Sequence, residues 1–573
     1  MLQALIQAFS RDTDFASTVA GIQSGMKEQL ISGLSGSSRQ VMLAALHQET
    51  KRPLLVVTHN MFSAQKIYED LQEALSPDQV LMYPANELVA AESAVSSPET
   101  LAQRIEVLLQ CSRGFRGIVV VPYSGIRRYI PTPEAMAEAG LTVRLGGTLE
   151  LERFMTQMVE LGYERVERVE SRGEMSLRGG IIDFYPLTAS MAYRVELFDD
   201  EVDSIRTFDP ADQRSVDQIK EVFIPPCKEL IATKERMSQA AQALSEKLEI
   251  QLDKMTDRQA KNRLREEMYK EIEMLREHVY FSEIYKYISL IYPERKTLYD
   301  YMPEDTLLIL DEPSRLLETA KQLERDEAEW NLHLYQNGKS LPDLPLAVDV
   351  DHLIYHRPFQ TLFLSLFLRQ VPHSQPQNIV NFVTRAMQDF HGQMNVLKAE
   401  MERWKKSGAH VIMLASTEER MDRMRRVLQD YGIEEPQLLQ GNLQSGFELP
   451  SVHLVVITEG EMFSQKQRKA RRVVKSMDNA ERIKSYTELK IGDYVVHQNH
   501  GIGKYMGIGT LEVGGIHKDY MHILYAGGDK LSVPIEQIDM IQKYVGSEDK
   551  EPKIYKLGGN EWNRVKNKVR SSV

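Results

Sequence analysis

Only two cysteines, Cys111 and Cys227, occur in 573 residues. That excludes a disulfide framework and fits a reducing compartment. No apolar run reaches the ~18 residues of a membrane-crossing helix, and no basic-then-apolar leader pattern opens the sequence. The expectation is a cytoplasmic protein with no membrane partner. Positive charge is in deficit: 70 Lys and Arg against 82 Asp and Glu give a net charge of −12. The whole is therefore not a nucleic-acid-coating protein. Glycine and proline are both absent from Cys227 to Tyr292, where charged residues dominate, as in a run of long surface helices. Lysine is absent from 161–215, where every base is an arginine: Arg165, Arg168, Arg172, Arg178, Arg194, Arg206 and Arg214. Arginine's planar fork holds carboxylates bidentately and stays charged when partly desolvated. That chemistry leaves two readings open, a protein-recognition face or a salt-bridged sheet surface.

The same stretch carries the most specific pattern in the chain. Residues 172–215 alternate apolar and polar positions (Ile181, Ile182, Phe184; Tyr193, Val195, Leu197), with turns marked by Gly179-Gly180 and Asp199-Asp200. Its RGE-x-S-x-RGG-x-x-D core, R-V-E-x-F-DDE run and FD-x-x-x-QRS ending resemble the UvrA-binding domain shared by UvrB and the transcription-repair coupling factors. The resemblance implies that UvrA is contacted by Arg165, Arg178, Arg194, Glu196 and Leu197.

UvrB would be an ATPase, so the capacity to hold ATP is decisive. A working phosphate loop reads GxxxxGK[ST]: backbone amides cradle phosphates, lysine reaches the terminal ones, and the hydroxyl holds magnesium. Residues 33–40 read Gly-Leu-Ser-Gly-Ser-Ser-Arg-Gln. Gly33 and Gly36 keep the UvrB-type spacing, but Ser38 replaces a glycine, Arg39 the lysine and Gln40 the metal-binding hydroxyl. This is a degenerate loop. The strand Leu307–Leu310 ends in Asp311 and Glu312, a metal-binding pattern that, without a competent loop opposite, is read as structural. Gly338-Lys339-Ser340 is a decoy, since His333 stands where glycine is needed and Pro342 and Pro345 follow where a helix should start. Fewer than twenty residues separate Met82-Tyr83-Pro84 from Leu101-Ala102-Gln103-Arg104-Ile105. That leaves no room for UvrB's long aromatic hairpin and its stacking groups.

At the far end, residues 489–545 alternate short β-rich runs with glycine turns, the pattern of a small curved antiparallel barrel. The G-D-x-V-V-H-x-x-H-G-x-G-x-Y run resembles the RNA-polymerase-interacting domain of coupling factors and CarD-type regulators. The resemblance implies β-augmentation of the polymerase β subunit through an exposed edge at Gly509, Thr510, Leu511 and Glu512, with Leu511 as apolar anchor. His497 and His500 have no cysteine nearby and no ligand-like spacing to His517 or His522, so no metal is assigned. Residues 466–475 (KQRKARRVVK) hold six cations in ten without interleaved aromatics, and read as a solvated linker rather than a DNA contact.

The fold class expected is multidomain α/β. A degenerate UvrB/helicase-like α/β domain spans 1–124 and 218–345, closing near Asp311, with an α+β UvrA-binding domain (125–217) inserted. A second small α/β domain follows (346–465), then a basic linker (466–486) and a Tudor-like antiparallel β-barrel (487–547). Residues 548–573 would begin a helix. The resemblance implies that a double-stranded-DNA translocase motor follows there, using ATP and magnesium and making most DNA contacts. For this chain no catalytic residue and no cofactor are expected. The function implied is an adaptor joining stalled RNA polymerase to UvrA. The alternatives are a UvrB-like ATP-driven damage verifier and a CarD-like transcription regulator.

Overall fold

The computed structural model describes residues 2–85, 98–281, 283–463, 492–497, 500–513, 516–534, 541–543 and 554, with backbone alone at 98, 508–513, 516–519, 534 and 542–543. The chain divides into two compact units, Met1–Gln467 and Arg468–Val573.

The first unit is built on a seven-stranded parallel sheet. In spatial order its strands are Asn378–Asn381, Glu28–Ser32, Gln360–Ser365, Leu307–Asp311, Leu54–Thr58, Ile118–Pro122 and Val80–Met82. Runs such as Leu54-Leu55-Val56-Val57 are buried throughout because helices cover both faces of a parallel sheet. Leu55, Val57, Leu308 and Leu310 enter one core, and Leu54, Val56, Leu307 and Ile309 the other.

Two strands of this sheet correct the expected boundaries. The domain does not close near Asp311, because Gln360–Ser365 and Asn378–Asn381, assigned by sequence to the second α/β domain, complete its far side. Parallel pairing requires a crossover, and the 24-residue helix Pro313–Gln336 supplies it. That long connection hides the kinship of the strands it joins.

The inserted module is a six-stranded sheet in the order Ser215–Gln218, Glu201–Phe208, Ala192–Phe198, Ile181–Phe184, Glu174–Arg178 and Glu164–Arg165. It also extends past the expected end at 217, for Glu221–Ile224 returns to pair with Leu141–Arg144. Its inward residues Met175, Ile182, Phe184, Val195 and Ile205 join the core that holds Leu55 and Val57. The stretch without glycine or proline forms two helices, Lys234–Lys254 and Arg258–Arg276, capped by Thr233 and Asp257. Leu244, Leu248 and Leu252 of the first helix share a separate core with Leu264, Met268 and Ile272 of the second.

A smaller five-stranded sheet follows: Arg385–Ala386, Phe447–Leu449, Leu454–Thr458, His410–Ala415 and Gln437–Gln440. Its Ile412, Leu414 and Val456 enter the main unit's second core. The helices Met394–Lys406 and Glu418–Asp430 cover its other face.

The second unit is a five-stranded antiparallel sheet in the order Lys530–Pro534, Ile516–Leu524, Gly501–Val513, Tyr494–His497 and Ile541–Lys543. Val495, Tyr505, Met521, Ile523 and Tyr525 form its core. The basic run 466–475 and the helical pattern after Trp562 lie outside the described residues.

Candidate functional site

The arginines of the inserted module are organised by strand register. Asp183 lies opposite Arg194, and Ile181 opposite Glu196. On the next strand Arg206 lies opposite Arg194, and Ser204 opposite Glu196. The turn at Gly179-Gly180 (Gly179 φ +63°) brings Arg178 over the same face. Period two therefore collects Arg178, Asp183, Arg194, Glu196, Ser204 and Arg206 on the outer side, away from Ile182 and Val195.

Asp183 is the hub of this face. Its side chain is 1% exposed, and it accepts from Arg194 Nε at 2.7 Å, Arg194 Nη2 at 2.8 Å and Arg178 Nη2 at 2.7 Å. A buried carboxylate needs this pairing. Arg194, 16% exposed, also lies over the Phe208 ring, 4.6 Å from its centroid. Hydrogen bonding to Asp183 holds its proton above the ordinary guanidinium range. Glu196 accepts from Ser204 Oγ at 2.9 Å and Arg206 Nη2 at 3.4 Å.

The two sequence readings therefore coexist. Arg194 is largely consumed within the sheet, whereas Arg178 spends one nitrogen on Asp183 and stays 50% exposed. Arg165 lies apart on the edge strand, exposed, and makes no ion pair among the described residues. Leu197 alternates to the other side, half-buried against the shared core. The structure thus groups Arg178, Arg194 and Glu196, and separates Arg165 and Leu197 from them. Sequence reasoning missed Asp183 as the organiser, although it is the final D of the RGG-x-x-D pattern.

The degenerate loop is a different case. Gly33 (φ +83°) and Gly36 (φ +58°) shape the turn before the helix Ser38–Thr50. Arg39 does not point to a vacant phosphate position. It pairs with Asp311 and, at 2.9 Å, with Glu312, the two acids that end the central strand. Burial opposes its charge, but Asp311 and Glu312 outweigh that and hold its proton above the usual guanidinium range. The loop's flank is occupied too. Gly33 N donates to Leu366 O at 3.2 Å and Ser35 N to Thr384 Oγ1 at 2.8 Å. Gln40, in the metal-ligand position, is buried with its Oε1 unpartnered. Among the described residues no three His, Cys, Asp or Glu side chains converge as a metal site.

In the second unit, strand Gly501–Val513 carries Gly509, Thr510, Leu511 and Glu512, paired with Tyr520, Asp519, Lys518 and His517. On its opposite side the strand is paired by Tyr494–His497 along Gly501 to Lys504. Among the described residues no strand pairs with that side beyond Tyr505. His497 is buried beside His500, with ring centroids 4.8 Å apart, and burial lowers its pKa to about 4.

Both regions match known families. Residues 141–230 match the family described as UvrB interaction domain, and residues 489–545 the family described as CarD-like/TRCF RID domain. The chain is similar to a transcription-repair-coupling factor of Bacillus subtilis (strain 168), 48% identical over 99% of the chain and 49% of that relative. It is also similar to one of Staphylococcus aureus (strain MRSA252), 35% identical over 96% of the chain and 48% of the relative. The chain spans about half the length of the curated relatives it matches.

Proposed function

We infer that this chain is the adaptor half of a transcription-repair coupling factor, carrying one module for the repair machinery and one for RNA polymerase. The observation that carries this reading is the outer face of the inserted module. There, a buried carboxylate holds one arginine firmly and presents a second half-exposed, a preorganised basic surface for an acidic partner. UvrA is the proposed partner, with Arg178 and Arg165 as its contacts, Glu196 as an orienting acid and Arg194 as the residue that fixes the face. The half-buried position of Leu197 gives it packing against the core as its main role.

The second proposed partner is the β subunit of RNA polymerase. The side of Gly501–Val513 that no described strand pairs at 509–512 would add to a sheet edge of that subunit, a β-augmentation. The ATP-driven translocase activity of the whole factor, and most of its DNA contacts, belong in this reading to the remaining half. The loop at Gly33–Gln40 would then bind no nucleotide, because Arg39 is bound to Asp311 and Glu312 instead. That pairing argues against an ATP-driven damage verifier.

Surface plasmon resonance against purified UvrA tests the reading. The wild-type chain should bind tightly, and Arg165→Glu and Arg178→Glu should each lose binding while remaining folded. Binding unchanged in both variants would reject the arginine face as the contact.

A further inference from the structure

The loop Gly33–Gln40 has lost the residues of phosphate chemistry, yet its glycine turn is tightly filled. Gly33 faces Phe382 and Asn381, and the space beside Gly36 is filled by one turn of the smaller sheet, residues 441–446. Ser37 N donates to Ser445 O at 3.3 Å, and Ser445 N donates back to Ser37 Oγ at 3.0 Å. Ser37 Oγ in turn donates to Asp70 Oδ2 at 2.7 Å, while Gln444 N donates to Asp70 Oδ1 at 2.8 Å. Two more carboxylates of the same helix (Met61–Ala74) receive the turn: Glu69 from Gln444 Nε2 at 2.7 Å, and Glu73 from Asn442 N at 3.2 Å.

Packing is equally close. A Cβ at Gly36 would lie 2.6 Å from Gly446 O and 2.7 Å from Ser445 Oγ. Leu443, between the bonded residues, is fully buried in the core shared with Val41 and Leu71. In a phosphate loop the glycines let backbone amides approach an anion. Here the same lack of side chains lets another stretch of backbone approach.

We propose that the nucleotide cradle has become a peptide socket whose resident ligand is the turn Asn442–Gly446, seating the smaller α/β sheet on the loop. The smaller sheet, for which the sequence offers no chemistry, then has a defined anchorage. Nucleotide is excluded twice, once by the residues at Ser38, Arg39 and Gln40 and once by a bound segment of the same chain.

Two measurements on the full chain test this. In hydrogen exchange, the amides of Asn442, Gln444 and Ser445 should be protected in the wild type. Gly36→Val, which removes the space for Gly446 O, should speed their exchange about tenfold or more, the effect of losing one or two net hydrogen bonds. Strands His410–Ala415 and Leu454–Thr458, held also by the core they share with Leu54 and Val56, should stay protected, showing that the loss is local to the turn. Ser37→Ala is the milder version, with a smaller change in the same direction. The second measurement restores the loop chemistry with Ser38→Gly, Arg39→Lys and Gln40→Ser together and titrates a fluorescent ATP analogue. No binding is expected while the turn remains seated. Fast exchange at 442–445 in the wild type, no response to either loop variant, or ATP binding by the restored loop would each overturn the proposal.

Discussion

At the scale of single residues, the arginine face separates two kinds of loss. Removing Arg194 leaves the buried Asp183 with only Arg178's single contact, so Arg194→Ala should destabilise the module by roughly 3 kcal/mol in urea unfolding. Arg178→Glu should change stability far less and binding far more, because its side chain is half exposed. A variant at 194 is consequently a poor probe of recognition, and one at 178 a good one. Asp70 makes a second residue-scale prediction. Burial raises its pKa from 3.8 to about 7, despite hydrogen bonds from Ser37 and Gln444 that pull it back. The folded chain thus holds this proton where the unfolded chain has lost it. Its contribution is complete below about pH 4 and is lost as pH rises toward 7. Asp70→Asn, which cannot ionise, should gain on wild type across that window by an amount on the order of 4 kcal/mol, read from denaturation curves at pH 4 and pH 8.

At the scale of elements, the strands were the most legible part of the sequence. Leu307–Asp311 stands where its apolar run places it, within a residue, and Leu54–Thr58, His410–Ala415 and Leu454–Thr458 are apolar runs of the same kind. A buried parallel strand is a continuous apolar run and needs no partner to be recognised. Its neighbours are another matter: nothing local in Gln360–Ser365 says that it pairs with Leu307–Asp311 across a 24-residue helix. The candidate site divides in the same way. The resemblance pointed to Arg178, Arg194 and Glu196, and the strand register sets these three on one face. The binding of Arg39 to Asp311 joins positions 272 residues apart, and no spacing rule reaches that far. The helix pair Lys234–Lys254 and Arg258–Arg276 was legible as an absence of breakers, but its core is shared with Tyr287, Ile288, Ile291 and Leu341. Leu244→Ala should cost about 3 kcal/mol, with early loss of exchange protection in 234–276 and in the segments that share its core. At the other end, Leu511→Ala should weaken binding to the polymerase β subunit while leaving UvrA binding intact, as paired pull-downs would show.

For the whole molecule, the combination matters more than either module. A chain with an arginine face in one compact unit and an antiparallel sheet in the other should hold UvrA and the polymerase β subunit at once. Size-exclusion chromatography of the three together should give a single ternary peak, reduced to a binary one by Arg178→Glu or by Leu511→Ala. The manner in which the UvrB-interaction module is attached bears on what such a bridge can carry. Its core is continuous with that of the parallel sheet, and its chain leaves by the strand Glu221–Ile224, laid antiparallel against Leu141–Arg144. A pull on the arginine face therefore works against that shared core as well as against the paired strands at the module's entry and exit. The mounting is thus a bracket and not a swivel: torque applied at one partner reaches the frame instead of being spent in a loose joint.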